Sequence, residues 1–174
     1  GPVIILAWLF NLPRNVAIFC AFFITIALGI NYQFRLVPAI EDIERKSFGT
    51  IAYGISITIL LVLFWPKYAL SISLGVLSMA FGDGMAGLIG RSIRSRKWLV
   101  LGQTKSVAGT LTMGLIVAIT TLAISQINNL NMQPLEIIVI SLIATGLEQI
   151  SPWGIDNITV PIGVTCAAIW LLGT

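Results

Sequence analysis

Apolar residues run along the chain in long blocks separated by short polar stretches, with no sustained two-residue alternation, so the pattern predicts helices. A short block from Val3 to Phe10 is followed by six longer ones: Asn15 to Phe34, Phe48 to Phe64, Tyr68 to Ile89, Ser106 to Ile127, Pro134 to Ile150 and Thr159 to Leu172. About 20 mainly apolar residues cross a bilayer as a helix. The blocks therefore predict six spans and a first segment that is truncated, interfacial or re-entrant. Pro13, in "NLPRN", separates the first two segments. Pro134 suits a first helical turn, and Pro161 requires that the last helix has only just begun.

Composition makes this a membrane pattern. Of 174 residues 57% are hydrophobic and 10% charged, and the mean hydropathy is +0.97, well beyond a soluble domain. The expected fold is all-α: one integral-membrane domain over residues 1–174, a polytopic bundle of six to seven transmembrane helices. There is no histidine, and Cys20 and Cys166 both lie inside apolar runs, where packing is the ordinary role. Zinc sites and histidine triads are therefore excluded. Acid–base or metal chemistry must use carboxylates and hard cations.

The charges then orient the bundle. If all seven segments cross, eight of the ten basic residues fall on one side, in the loops 35–47 and 91–105, against Arg14 and Lys67 on the other. The positive-inside rule places those loops, with 151–158, in the cytoplasm. The polar residues that helix packing does not require gather in the same layer: Asp83, Lys105, Glu148, Asp156 and Asn157. A carboxylate at membrane depth costs a few kcal/mol on insertion scales, so Asp83 calls for a function.

Asp83, Glu148 and Asp156 come from three spans and converge only in a folded bundle. Opposite them "GQTKSVAGT" places Lys105 and Ser106 at a helix start, where unpaired N–H groups and the helix dipole favour an anion. Gly102 and Gly109 would admit a ligand close to the backbone. Carboxylates for magnesium facing a lysine-bearing helix start for phosphate suit phosphoryl or nucleotidyl transfer. Plainer alternatives exist for each residue: a solvated topology loop for Lys105, a helix-end carboxylate reaching water for Glu148, a turn and N-cap for Asp156–Asn157, and an ion pair with Arg91 for Asp83. For Arg45 and Lys46 in "ERKSFGT", the choice lies between a snorkelling boundary and a further phosphate contact.

The segments "RKSFGT", "FGDGMAGLIGR", "GQTKSVAGT" and "LEQISPWGIDNITVPI" together resemble the membrane lipid-alcohol kinases, a family that includes dolichol kinase, phytol kinase and the CTP-dependent diacylglycerol kinase. They stand in the family's order and cover most of the chain from Arg45 to Ile162. The resemblance implies transfer of the γ-phosphate of CTP, with magnesium, to the hydroxyl of a membrane-embedded alcohol. It implies catalytic roles for Asp83, Lys105, Glu148 and Asp156. Nucleotide or phosphate contacts are implied for Lys46, Arg91, Lys105, Ser106, Gly109 and Thr110, and metal binding for Asp83, Glu148, Asp156 and Asn157. The chain starts later than dolichol kinases, which points to a bacterial or plastid-like phytol-kinase branch. Several relatives carry an acidic residue before the glycine where this chain reads "VAGT".

The expected partners are a nucleoside triphosphate, a long-chain alcohol such as phytol or a polyprenol, and membrane lipids, with no nucleic acid; self-association stays open. The expected location is a bacterial inner or thylakoid-type membrane. Two other classes stay open: a CTP-dependent cytidylyltransferase acting on a lipid phosphate, although the histidine-containing end segment of CDP-diacylglycerol synthases is missing, and a non-enzymatic transporter or scaffold.

Overall fold

The computed structural model describes residues 3–34 and 48–173. Seven helices appear among them: α1 (Val3–Leu9), α2 (Arg14–Phe34), α3 (Gly49–Phe64), α4 (Ala69–Ser92), α5 (Val107–Ile127), α6 (Pro134–Ile150) and α7 (Asp156–Leu172). Three of them, α2, α4 and α5, are long and apolar enough to cross a membrane by length and composition, and α3 and α7 are shorter apolar helices. The predicted blocks thus match the helices to within a few residues. One boundary differs: α7 starts at Asp156, so Pro161 lies inside it. Lacking an N–H, Pro161 leaves the Asn157 carbonyl without its usual helical donor.

Helix α4 is the axis of the bundle. Every residue from Ser71 to Met79 is buried, and α4 packs mainly on α5 and α7, with α6 closing the ring between those two. Helix α3 packs mainly on α2 and α7 and touches α4 little. Small residues set the close approaches. A side chain at Gly75 would collide with the Pro161 carbonyl and Thr165, and one at Gly82 would meet the Met113 sulfur.

The distribution of residue types is that of a helical membrane protein. Phe19, Phe23, Leu111, Leu115, Leu142 and Trp170 are exposed, whereas Ser56, Ser73, Thr121 and Thr165 are buried. A large apolar exterior with small polar residues between helices is favoured when the solvent is lipid. Several buried hydroxyls bond back to their own helices, as Ser73 does to the Ala69 carbonyl at 2.8 Å and Thr121 to that of Val117 at 2.8 Å, whereas those of Ser78 and Thr165 have no partner among the described residues.

The basic segment read as a loop contains the only regular structure among the described residues that is not helical. Strands β1 (Lys97–Val100) and β2 (Gln103–Ser106) pair antiparallel, with Trp98 opposite Lys105. The two-residue turn has positive φ at both centres, 48° at Leu101 and 80° at Gly102, the geometry that suits a hairpin's twist. Gly102 therefore serves the turn. The strand ends at Ser106 and α5 begins at the next residue, so the hairpin aims Lys105 into the bundle.

Candidate active site

The site forms at one end of the bundle, where the last turns of α4 and α6 meet the first turns of α5 and α7. Asp83, Glu148 and Asp156 each offer a carboxylate oxygen, and these atoms lie within 4.8 Å of one another. The convergence expected from three separate spans is what the fold delivers. Lys105 enters from β2 and forms an ion pair with Glu148 whose side chains are only 13% and 9% exposed. Its ammonium also donates to the Glu148 backbone carbonyl at 3.1 Å. Three carboxylates face one lysine at close range, leaving a local excess of negative charge that a hard cation would balance.

The carboxylates differ in how far the protein has used their oxygens. Glu148 is fully engaged, with Oε1 held by Lys105 and Oε2 accepting from the Gln149 amide at 2.7 Å. Asp156 Oδ1 accepts from the backbone N–H and side-chain amide of Asn157 at 3.0 and 3.2 Å. No hydrogen bond reaches Asp83 among the described residues. Asp83 and Asp156 thus keep oxygens for a ligand, whereas Glu148 gives one to Lys105 and the other to Gln149. Glu148 is buried and paired, so the helix-end carboxylate reaching water is ruled out. Asp83 also lacks the alternative ion pair, because exposed Arg91 donates Nε to the Gly87 carbonyl at 3.1 Å.

The start of α5 departs from expectation. Its first N–H groups are not open to an anion: Val107 donates to the Arg96 carbonyl at 3.0 Å, Ala108 to Ser95 Oγ at 3.2 Å and Gly109 to Ser106 Oγ at 3.1 Å. Ser106 is the N-cap, and Ser95 and Arg96, just before the hairpin, supply the other acceptors. Thr110 donates to the Ser106 carbonyl at 3.0 Å and accepts from Gln149 at 3.0 Å. Ser106, Gly109 and Thr110 therefore spend their polar groups on building the helix start, and a phosphate site would rest on Lys105 and the basic residues around it. Lys46 lies outside the described residues.

Gly109 has a packing role instead. A Cβ there would lie 3.1 Å from the Ala86 carbonyl and 3.2 Å from Ser106 Oγ, and one at Gly90 would lie 2.9 Å from Ser106 Oγ. The Gly109→Leu variant should lose about 2 kcal/mol or more by forcing α5 off α4. Gly84→Ala, whose Cβ meets nothing within 4 Å, should be neutral or gain up to about 1 kcal/mol. Thermal melts of the two purified variants check this.

Two further features carried no sequence signal. Gln149 bridges Glu148 on α6 to Thr110 on α5, and an amide next to an acid has no distinctive spacing. A cleft of about 310 Å³ lies beside Asp83 between α3, α4 and the start of α7. It exists because α3 and α4 barely touch, a tertiary fact.

Among known proteins, the phytol kinase of Synechocystis sp. is 33% identical to this chain over 182 residues, covering 98% of the chain and 77% of the relative. No family model and no solved structure matches the chain.

Proposed function

The chain belongs to the phytol and polyprenol kinase family, and from that premise we propose that it transfers the γ-phosphate of CTP to the hydroxyl of a membrane isoprenoid alcohol, phytol or a related polyprenol. The observation that carries this reading is the convergence of Asp83, Glu148 and Asp156 on Lys105 in one layer. A transporter path would instead distribute its ionisable groups through the membrane depth.

The donor set fits magnesium, since oxygen ligands of high charge density stand together with free lone pairs on Asp83 and Asp156. Asp156 and the Asn157 oxygen would hold the ion, which when bound neutralises phosphate charge and orients the triphosphate, and Asp83 is left to face the alcohol. Glu148 positions Lys105, and Lys105 with Arg91 meets the charge that grows on the phosphates during transfer, with Lys46 proposed as a further phosphate contact. Asp83 takes the proton of the alcohol. The alcohol oxygen then forms a bond to the γ-phosphorus, the bond from that phosphorus to the β–γ bridging oxygen breaks, and CDP leaves.

The bundle would sit in a bacterial inner or thylakoid-type membrane with α2 to α7 crossing. The shorter helices, at 16 and 17 residues, measure about 24–26 Å at 1.5 Å per residue, near the length of a span. The basic residues Arg91, Arg94, Arg96, Lys97 and Lys105 on the same side of the bundle as the site support a cytoplasmic face for it.

The test supplies purified protein in lipid nanodiscs with phytol, farnesol, dolichol or diacylglycerol, and with CTP, ATP, GTP or UTP. The expected result is phosphorylated isoprenoid alcohol and CDP, dependent on magnesium. Release of pyrophosphate would assign the protein to cytidylyl transfer. Absence of magnesium-dependent nucleotide turnover with every pair would remove the enzyme reading.

A further inference from the structure

The cleft beside Asp83 has a wall chemistry unlike the rest of the site. Gly49, Thr50 and Tyr53 line it from α3, Asp83 and Gly84 from α4, and Asn157 from α7. Among the described residues, none that lines it is a cation. A nucleoside triphosphate carries several negative charges and would meet, among the described residues, the Asp83 carboxylate and no cation, an unfavourable encounter at short range. Among the described residues, the basic groups near the site approach from elsewhere: Lys105 lies on the α5–α6 side of Asp83, paired to Glu148, and Arg91 two turns further along α4.

The cleft suits a neutral, mostly apolar guest with one hydroxyl. Thr50, Asn157 and Asp83 give it polar atoms, Asp83 alone of the three is charged, and its oxygens have no hydrogen-bonded partner among the described residues, so a hydroxyl donor would satisfy a group the protein leaves open. Tyr53 adds an apolar ring with its own hydroxyl already spent, donating to the Val76 carbonyl at 2.8 Å. Gly84 is exposed at the edge of the cleft, and a side chain there would meet nothing within 4 Å. Phe81 and Met85, next to it on α4, are 47% and 39% exposed and continue the surface as an apolar one. A route thus leads from the lipid-facing side of α4, past Gly84, to Asp83.

We infer that this cleft seats the hydroxyl end of a long-chain alcohol that enters from the bilayer between α3 and α4, so that acceptor and nucleotide reach Asp83 from opposite sides. The inference rests on the kinase reading for calling the guest an acceptor. Its geometric part, that a long-chain alcohol occupies the α3–α4 cleft, stands on the lining alone. It also gives the sparse α3–α4 contact a use: the seam admits a chain laterally without opening the tightly packed α4–α5 interface.

Two measurements test it. In protein carrying Cys20→Ser and Cys166→Ser, Gly84→Cys provides a single thiol at the edge of the cleft, and its labelling by a membrane-permeant maleimide is timed in nanodiscs. Added phytol should slow labelling at least fivefold, whereas CTP with magnesium should change it less than twofold. In parallel, Gly84→Leu should raise the KM for phytol at least tenfold and leave the KM for CTP within twofold. Protection by CTP with magnesium but not by phytol would make the cleft a nucleotide pocket and overturn the inference, as would protection by neither. If the protein phosphorylates no alcohol while phytol still protects the thiol, the kinase reading fails and the lipid cleft survives.

Discussion

Asp83→Asn should reduce phosphoryl transfer to phytol about a thousandfold while leaving the bundle folded and no less stable. The two halves of that result have separate causes. Asparagine matches aspartate in shape but is a far weaker base, and loss of a positioned general base costs typically 10²–10⁴ in rate. Stability should hold because no hydrogen bond depends on the Asp83 carboxylate among the described residues, and removing its charge relieves repulsion from Glu148 and Asp156, whose oxygens lie within 4.8 Å. Transfer of label from γ-labelled CTP, read beside a thermal melt, separates these effects. A magnesium titration of the variant refines the role: with Asp83 as base, kcat falls and the half-saturating magnesium concentration moves little. Near-wild-type transfer by Asp83→Asn would remove Asp83 from the chemistry.

That Asp83 could be singled out in the sequence at all follows from the cost of charge in a membrane. In a soluble protein an aspartate after a phenylalanine and a glycine says little, but within an apolar span it demands a reason. The same logic reached Glu148 and Asp156, because parity along the spans puts the ends of α4 and α6 and the start of α7 on one side. Convergence to 4.8 Å is the tertiary consequence. The helix register was legible for a related reason, since runs of some 17–20 apolar residues have few other solutions.

The start of α5 is not legible from sequence because its partners are distant in structural type rather than in sequence. "GQTKS" carries a helix-start signature with apparently free N–H groups, yet Ser95 Oγ and the Arg96 carbonyl fill two of them. Those acceptors arrive only because residues 97–106 fold back as a hairpin. Its turn uses Leu101–Gly102 in place of the Asn-Gly pair that marks such turns, and strands of four residues are too short to announce themselves against a basic loop. Gly109, next to this start, likewise resembled a glycine making space for a ligand and is in fact pressed against Ala86 and Gly90. A sequence does not distinguish space for a ligand from space for a neighbouring helix.

Lys105→Met should be the most damaging single change to stability in the site, and its repair by a second change should not restore activity. Methionine fills the lysine's volume but leaves Glu148 buried, with Asp83 and Asp156 close by and no cation on its Oε1. Breaking a buried ion pair from one side costs about 3–5 kcal/mol, because the remaining charge is uncompensated. Glu148→Gln alone should be milder, since Lys105 keeps the Glu148 backbone carbonyl as acceptor and gains nearby aspartates as counter-charges. The double variant Lys105→Met with Glu148→Gln replaces the pair by neutral groups of similar size and should recover most of the lost stability, giving a large coupling in a double-mutant cycle. Transfer should nevertheless stay about 10²–10³-fold down wherever Lys105 is absent, as for loss of one preorganised charge at a transferring phosphate. The cycle also distinguishes the two jobs open to Glu148. As the residue that positions Lys105, it should lower kcat by about tenfold on conversion to glutamine, the size of one hydrogen-bonded contact at about 1.4 kcal/mol, with magnesium dependence unchanged. A Glu148→Gln variant as inactive as Lys105→Met, rescued in part by raised magnesium, would move Glu148 from positioning the lysine to ligating the metal.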